Sequence, residues 1–298
     1  MNILFIYNAS AGLGGQAGKL LEIIEQLSLS GHIVTACPVV PAKDLPARSY
    51  ITRDMRSDLV IVCGGDGTLN HVVDAIIECD LSVPISFFPM GSTNDFAASI
   101  YGDRVLTPSR LCGMIEKGRL TAYDIGRWNS RHFNYVAAFG AFNRVSYTTS
   151  QQMKNVIGHG AYILNLLASI PESLSTRSHV VIEHDGVTEE NDFLVGIVSN
   201  TTSVGGVQAS YFTDSKLSDG LFELVLVLAP HTITDLGEIA GRLVAGDVDN
   251  NYVRVYKFRH ASFHFSEETA WTLDGEDGGK VRDAEIDVLP RRMRIYTD

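Results

Sequence analysis

Residues 58–76 read DLVIVCGGDGTLNHVVDAI, an apolar run that leads through a glycine turn into a pattern of helical period. The run at 59–63 predicts a buried strand, and residues 69–78 predict a helix. The glycines between them permit a positive φ and a close approach, so phosphate oxygens can reach backbone N–H groups at the helix start. Asp66 would then meet the metal that accompanies the phosphates. A purely structural turn is the alternative.

Short apolar runs and helical patterns alternate through the first 125 residues around this stretch. The pattern predicts further strands at 3–7 and 85–88 and a helix at 14–28. Such alternation is typical of a parallel sheet with helices on both faces. Ligands of these sheets bind where the strands end and glycine-rich turns begin, so the turns carry the candidate site.

A second polar turn follows the next strand, in residues 85–99, ISFFPMGSTNDFAAS. Its polar positions and glycine, which come just before another predicted helix, are Gly91, Ser92, Thr93, Asn94 and Asp95. Capping of that helix explains one such residue but not five. A third glycine-rich loop, NASAGLGG at 8–15, follows the first strand, and the loops can converge at one sheet edge. The 8–15 loop does not match GxxxxGK[ST], and the 91–95 turn also lacks the lysine of that pattern, so an ordinary P-loop is excluded.

From Trp128 onward the pattern changes to β-rich segments separated by Gly, Asn and Asp. These segments are HFNYVAAFG, HVVIEHDG, DFLVGIVSN, LFELVLVLA, NYVRVYKFRHASFHF and ETAWTLDGE. They predict a second, mostly antiparallel domain. Within it, residues 151–169 predict a helix whose apolar stripe is either core packing or a lipid-facing wall.

The composition is that of a folded protein, with 45% apolar and 20% charged residues and a formal net charge of −11. This negative charge opposes attraction to nucleic acid and to an anionic membrane surface. We therefore expect no nucleic-acid partner, and any membrane contact must be local and apolar. The N-terminus lacks a basic leader and a long apolar run, so we expect a cytoplasmic protein.

Five segments together resemble successive blocks of the bacterial soluble diacylglycerol kinase catalytic-domain family. They are GGDGTLN (64–70), PMGSTNDFA (89–97), YDIGRWNSRHFNYVAAFG (123–140), KLSDGLFELVLV (216–227) and LDGE (273–276). GGDGT alone is shared in similar form with NAD kinases and phosphofructokinase-like enzymes. The order of the blocks and their span over nearly the whole chain make the resemblance more specific.

The resemblance implies an α/β fold of two domains with the active site in the cleft between them. Residues 1–126, with a strand at 288–298 returning, would form a Rossmann-like parallel-sheet nucleotide domain, and 127–287 an antiparallel β-sandwich for the lipid substrate. The implied ATP-binding residues are Asn8, Ser10, Gly12, Gly64, Gly65, Asp66, Gly67, Thr68, Asn70, Gly91, Ser92 and Thr93. The family block usually has Thr at the position of Ser92, and the hydroxyl is kept.

The resemblance also implies acidic sites. A Mg²⁺ ion would be bound by the Asp219 side chain with Lys216 and Leu221, and Glu276 would be the proton acceptor. We expect Asp66, with Asp95 and Asp124, to organise catalytic Mg²⁺. From the residues alone, the Asp219 turn needs no metal, and LDGEDGG is a solvated acidic turn.

The function expected from these residues is transfer of the ATP γ-phosphate to a lipid hydroxyl, with diacylglycerol giving phosphatidic acid. The alternative acceptors are a polyprenol, a sphingoid base or NAD, because GGDGT reports the phosphate donor and not the acceptor. A nucleotide-binding regulator without turnover is the alternative from another class. We expect transient contact with the inner membrane surface, and a homodimer is compatible with the sequence.

Overall fold

The structure is a computed structural model, and it describes residues 1–9, 17–40, 46–91, 94–102, 105–140, 177–200, 203–204, 207–208, 217–245 and 251–298. The helix predicted at 151–169 lies outside these ranges. The same is true of the predicted site residues Ser10, Gly12, Ser92, Thr93 and Lys216. The chain divides into two compact units, Met1–Ile125 with Arg291–Asp298, and Gly126–Pro290.

The first unit alternates strands and helices. Its elements are β1 (Asn2–Asn8), α1 (Ala17–Leu29), β2 (Ile33–Val39), a 3-10 turn (Ala47–Tyr50), β3 (Leu59–Gly64), α2 (Asp66–Glu78), β4 (Ile85–Pro89), α3 (Asp95–Tyr101), α4 (Pro108–Lys117) and the start of β5 (Leu120–Trp128). The strands and helices predicted in this region are confirmed, with ends moved by up to three residues. β2, which contains Pro38, and α4, which contains Gly113, were not predicted.

The strands of the first unit pair in parallel. β1 lies between β2 and β3, and β3 also pairs with β4. Every residue of β3 is buried, as expected for a parallel strand that is covered on both faces. Tyr7 pairs with Cys63 and Gly64 pairs with Pro89, so β1, β3 and β4 end side by side. The loops that follow these strands therefore leave the same edge of the sheet.

The second unit is built from antiparallel pairs. After the end of β5 it contains β6 (Arg131–Phe133), β7 (Val136–Gly140), β8 (Ser178–His184), β9 (Val187–Ser199), β10 (Ser203–Val204), β11 (Val207–Gln208), β12 (Phe222–Leu228), α5 (Ile233–Ala245), β13 (Val253–Phe258), β14 (His260–Leu273) and most of β15 (Glu276–Tyr296). The predicted β-rich segments are confirmed. Helix α5 was not predicted, and it begins at a reciprocal cap in which Thr232 and Asp235 bond to each other's backbone N–H.

The strands of the second unit follow the order β13-β12-β9-β7-β14-β15, and β8 pairs with both β9 and β14. Their buried faces meet in an aromatic cluster around Trp271. The ring centroid of Trp271 lies 5.0 Å from that of Phe139, 5.3 Å from that of Phe263 and 5.9 Å from that of Trp128. The chain as a whole is thus a mixed α/β protein with extensive antiparallel sheet.

Candidate functional site

The two glycine turns of the first unit contact each other through their backbones. The Met90 N–H donates to the Gly64 carbonyl at 2.7 Å. A Cβ added to Gly91 would lie 2.8 Å from the Cα of Gly65, which is closer than real Cβ atoms come to backbone. The two turns are therefore in direct backbone contact. The approach of phosphate oxygens that the glycines would permit stays a prediction. The positive φ that glycine permits is not used here, because Gly65 has a φ of −88° and neither Gly64 nor Gly91 is left-handed.

A buried carboxylate joins the two turns. Asp66 is the first residue of α2, and its Oδ2 accepts a hydrogen bond from the backbone N–H of Asp95 at 3.1 Å. Asp95 begins α3, and both residues are buried. Negative charge is favoured at this end of a helix, because the N–H groups of the first turn point toward it. Asp66 therefore holds the second turn in place from the first.

Asn94 organises the second turn in a way that the sequence did not indicate. Its backbone is left-handed, with a φ of 53°, and its side chain does not cap α3. Instead its Oδ1 accepts from the Gly91 N–H and its Nδ2 donates to the Gly91 carbonyl, both at 2.9 Å. Capping by a residue of this turn was the alternative explanation for its polar side chains. In the structure, Asp66 of the first turn, and not the side chain of Asn94, accepts the hydrogen bond from the Asp95 N–H at the start of α3.

The start of α2 has the features of a phosphate-binding site. Gly65 precedes the helix and has no side chain that could cap it. The first N–H groups of a helix have no acceptor within the helix, so an anion can bind them. Gly67 and Thr68 lie in the first turn of α2 and are half-buried. Asn8, the last residue of the neighbouring strand β1, is half-buried as well. Asn70 is buried one turn into the helix.

Asp124 lies fully buried on β5. Its Oδ1 accepts a hydrogen bond from the backbone N–H of Arg291 at 2.6 Å, and Arg291 has a φ of 51°. The neighbouring Tyr123 packs its ring 5.1 Å from that of Phe96, the second residue of α3. Asp124 is thus on a strand that packs against α3. Its partner Arg291 was missed, because nothing in the sequence links residues so far apart.

The acidic residues fit a cation only in part. No three His, Cys, Asp or Glu side chains form a metal-binding group within the described ranges. Mg²⁺ commonly uses one or two carboxylates and takes its remaining ligands from substrate phosphates and water. Asp66, at the proposed phosphate-binding end of α2, is chemically suited to such a shared site.

A second candidate site is the turn that joins β14 to β15. Asp274 and Gly275 form its centre, with φ values of 50° and 84°, which is the left-handed pair of a two-residue hairpin. Asp274 is buried, and both of its carboxylate oxygens accept hydrogen bonds from residues 134–136. Glu276, the predicted proton acceptor, follows the turn and is exposed. The sequence indicated Glu276 as a site residue but gave no indication of a role for Asp274.

The predicted metal residue Asp219 lies in an exposed turn before β12. Its Oδ1 accepts a hydrogen bond from the backbone N–H of Leu221 at 3.0 Å. An Asp side chain that bonds the N–H two residues later is a common local turn, which accounts for the Asp-Gly sequence without a metal. The backbone carbonyl of Leu221 and a carboxylate oxygen of Asp219 are suitable Mg²⁺ ligands by chemical type.

Comparisons with known proteins agree on one family. Residues 2–128 match the model of the diacylglycerol kinase catalytic domain. The chain is 30% identical over 297 residues to a diacylglycerol kinase of Staphylococcus epidermidis, covering 98% of this chain and 90% of that protein. It is 28% identical over 279 residues to a diacylglycerol kinase of Bacillus subtilis, covering 93% and 90%.

The fold comparison agrees with this match. A crystal structure of a diacylglycerol kinase from Bacillus anthracis str. Sterne superimposes with a TM-score of 0.74 at 19% identity, covering 100% of this chain and 97% of that one. At this identity the likeness is one of fold alone. The sequence matches extend over almost the whole length of both chains, and they include the two turns that Asp66 joins. The chain therefore belongs to the diacylglycerol kinase family, whose members are phosphotransferases with an alcohol group as acceptor.

Proposed function

We propose that this protein transfers the γ-phosphate of ATP to the free hydroxyl of diacylglycerol and so forms phosphatidic acid. The observation that carries the proposal is the contact between the two glycine turns, with Asp66 bonded to Asp95 at the start of α2. The name that the curated relatives share supplies the acceptor. Kinases of this family use ATP as the phosphate donor, which agrees with a phosphate site at a helix N-terminus.

In this proposal the first unit is a Rossmann-like nucleotide domain. The ATP phosphates bind the N–H groups at the start of α2, next to the ends of β1, β3 and β4. The residues proposed to contact ATP are Asn8, Ser10, Gly12, Gly64, Gly65, Asp66, Gly67, Thr68, Asn70, Gly91, Ser92 and Thr93. Phosphoryl transfer depends mainly on holding and neutralising these phosphates, so a rigid pair of turns is a suitable support.

Asp66 would hold a catalytic Mg²⁺ together with ATP oxygens, and Asp95 and Asp124 would support it. When bound, Mg²⁺ neutralises charge on the phosphates. Lys216, Asp219 and Leu221 would hold a second Mg²⁺ in the second unit. The chemistry of oxygen ligands supports both assignments.

Glu276 is the proposed general base. It would accept the proton of the diacylglycerol hydroxyl as that oxygen attacks the γ-phosphorus. The bond from the γ-phosphorus to the bridging oxygen then breaks, and ADP leaves with the electron pair. Glu276 is exposed, whereas the carboxylate of the neighbouring Asp274 is occupied by backbone and amide donors. Of the two acids of this turn, Glu276 is therefore the one with oxygens available for a proton.

The second unit is proposed to be a β-sandwich that binds the lipid. Within the described part of the chain no helix is long and apolar enough to cross a membrane. The formal charge of −11 also opposes attraction to anionic lipid headgroups. We expect a cytoplasmic enzyme that contacts the inner membrane surface briefly and through apolar side chains.

The test is to incubate the purified protein with Mg²⁺ and ATP labelled at the γ-phosphate. The acceptors to compare are diacylglycerol, a polyprenol and a sphingoid base in detergent micelles, and NAD in solution. The expected result is label in phosphatidic acid. Label in another acceptor, with none in phosphatidic acid, would overturn the acceptor assignment. ATP binding without label in any acceptor would indicate a regulator rather than an enzyme.

A further inference from the structure

The carboxylate of Asp274, next to the proposed base, accepts four hydrogen bonds. Its Oδ2 accepts from the Asn134 backbone N–H at 2.7 Å and from the Asn134 Nδ2 at 3.0 Å. Its Oδ1 accepts from the backbone N–H groups of Tyr135 at 3.0 Å and Val136 at 3.1 Å. The Asp274 N–H in turn donates to the Val136 carbonyl at 2.8 Å. The Asp274 side chain thus bonds three consecutive residues, 134–136, and its backbone bonds the last of them.

We propose that Asp274 is a positioning residue for phosphoryl transfer, which fixes the turn that presents Glu276. This inference rests on the proposed function of Glu276. Leu273 and Glu276 are paired across the turn, so only Asp274 and Gly275 separate the base from the opposite strand. A turn of two residues leaves little freedom, and locking its first residue fixes the direction in which the second strand starts.

The residues that bind Asp274 are themselves held in place. The Tyr135 carbonyl accepts from the Asn200 backbone N–H and from the Ser199 hydroxyl, both at 3.0 Å. Ser199 ends β9, one of the inner strands of the unit, and both Ser199 and Asn200 are fully buried. The position of Glu276 is therefore tied to the core of the second unit through Tyr135 and Asp274.

The far side of Glu276 is held as well. The Arg131 guanidinium donates to the Asp277 carbonyl at 2.9 Å, and the Asp277 side chain accepts from the Gly279 N–H at 2.8 Å. A Cβ added to Gly278 would lie 2.9 Å from the Trp271 carbonyl oxygen, so this backbone packs directly on β14. An exposed side chain thus projects from backbone that is fixed on both sides.

The hairpin between β8 and β9 shows that a turn of this kind does not need such bonding. Its centre, Asp185 and Gly186, has φ values of 43° and 85°, nearly those of Asp274 and Gly275. Asp185 is nevertheless exposed, and its carboxylate accepts a long bond of 3.4 Å from the Arg259 N–H. Burying a carboxylate is costly unless donors surround it. The extra bonding of Asp274 is therefore not a requirement of the turn, and positioning of Glu276 explains it.

The experiment compares Asp274→Asn with the matched control Asp185→Asn, which makes the same change in the same type of turn of the same unit. Asn tolerates a left-handed backbone but replaces one acceptor oxygen with a donor. We expect Asp274→Asn to lower kcat about 10- to 100-fold, since a base displaced by about 1 Å loses rate on this scale. The KM for ATP should stay unchanged, and Asp185→Asn should keep the normal kcat.

A double variant separates positioning from general damage. If Asp274 acts through Glu276, then Asp274→Asn should lower kcat little further when Glu276→Gln is already present. A normal kcat in folded Asp274→Asn would overturn the proposal, and so would an equal further loss in the double variant. If Asp274→Asn does not fold, Asn134→Ala is the alternative variant, because it removes only the Asn134 Nδ2 donor and leaves the backbone bonds to Asp274. Its kcat should fall several-fold, and the same comparison with Glu276→Gln applies. A normal kcat in Glu276→Gln would instead reject the proposed base, whatever Asp274 does.

Discussion

The carboxylate of Asp66 accepts a hydrogen bond from the backbone N–H of Asp95 at 3.1 Å, so the first residue of one helix binds the first residue of another. The contact lies where Gly65 and Gly91 meet. The buried Asp66 carboxylate binds the backbone of Asp95 and, in the proposed reaction, would also bind the cation that accompanies ATP. The first prediction separates these two roles.

Asp66→Asn should leave the fold intact and remove almost all turnover. The amide oxygen can still accept from the Asp95 N–H, but the negative charge that attracts a cation is lost. We expect kcat to fall by at least about 100-fold, the usual scale for losing a group that stabilises charge in the transition state. Asp58→Asn is the control, because Asp58 is exposed and also accepts a backbone bond, from Asn2 at 2.7 Å. Near-normal turnover in folded Asp66→Asn would reject the assignment.

Gly91→Ala and Gly113→Ala should have opposite effects on stability. At Gly91 the new Cβ meets the Gly65 backbone, so one turn must move, at a cost of about 1–3 kcal/mol, and ATP affinity should fall. Gly113 lies within α4 with nothing within 4 Å of the added Cβ. Alanine there should stabilise the protein by about 0.5–1 kcal/mol. Urea unfolding measures the stability of both variants, and titration with ATP measures their affinity. Equal changes in stability for Gly91→Ala and Gly113→Ala would contradict the close packing at Gly91.

Glu276→Gln should separate binding from catalysis. Glutamine keeps the size of the side chain but cannot take the proton, so kcat should fall about 100- to 10,000-fold while the Kd for ATP stays nearly unchanged. Glu285→Gln, an exposed change on the same strand, is the control. If Glu276→Gln loses ATP affinity in proportion to rate, Glu276 belongs to the nucleotide site, and Asp95 becomes the next candidate for the base.

Asp219→Ala tests the proposed second Mg²⁺ site. If Asp219 binds the ion, the variant should lose a Mg²⁺-binding event in calorimetry and should no longer be stabilised by added Mg²⁺ in thermal unfolding. Activity should also fall. Identical titrations and identical Mg²⁺ effects in both proteins would mean that the Asp219 bond to Leu221 is an ordinary turn.

His184 should make the protein less stable as the solution becomes acidic. It is buried with its ring centroid 4.4 Å from that of Tyr256. Burial lowers its pKa below the ordinary 6.5, and the charge of Asp185 acts in the opposite direction. Below pH 6.5 the unfolded chain therefore binds a proton that the folded chain resists, so unfolding becomes easier. This loss continues until the folded pKa is passed. Urea unfolding of His184→Gln between pH 5 and 8 should show a smaller loss at low pH than the parent protein, and an equal or larger loss would contradict the assignment.

The sequence by itself determined the features that depend on neighbouring residues. The runs at 59–63 and 85–88 form strands because buried apolar residues favour them locally, and the alternation of elements predicted the parallel pairs of the first unit. The glycine turns and the acid in each were visible for the same reason. The family blocks indicated Glu276, although not what surrounds it.

Only the tertiary structure decided which of these residues act on each other. Asp124 and Arg291 are 167 positions apart, and Asp274 and Asn134 are 140 apart. Local preference cannot indicate such bonds, because they form only when packing brings distant strands side by side. The same holds for Gly91, whose lack of a side chain is required by the backbone of Gly65 and not by its own φ. Sequence patterns therefore predicted the elements and the chemical groups, while long-range packing fixed their partners.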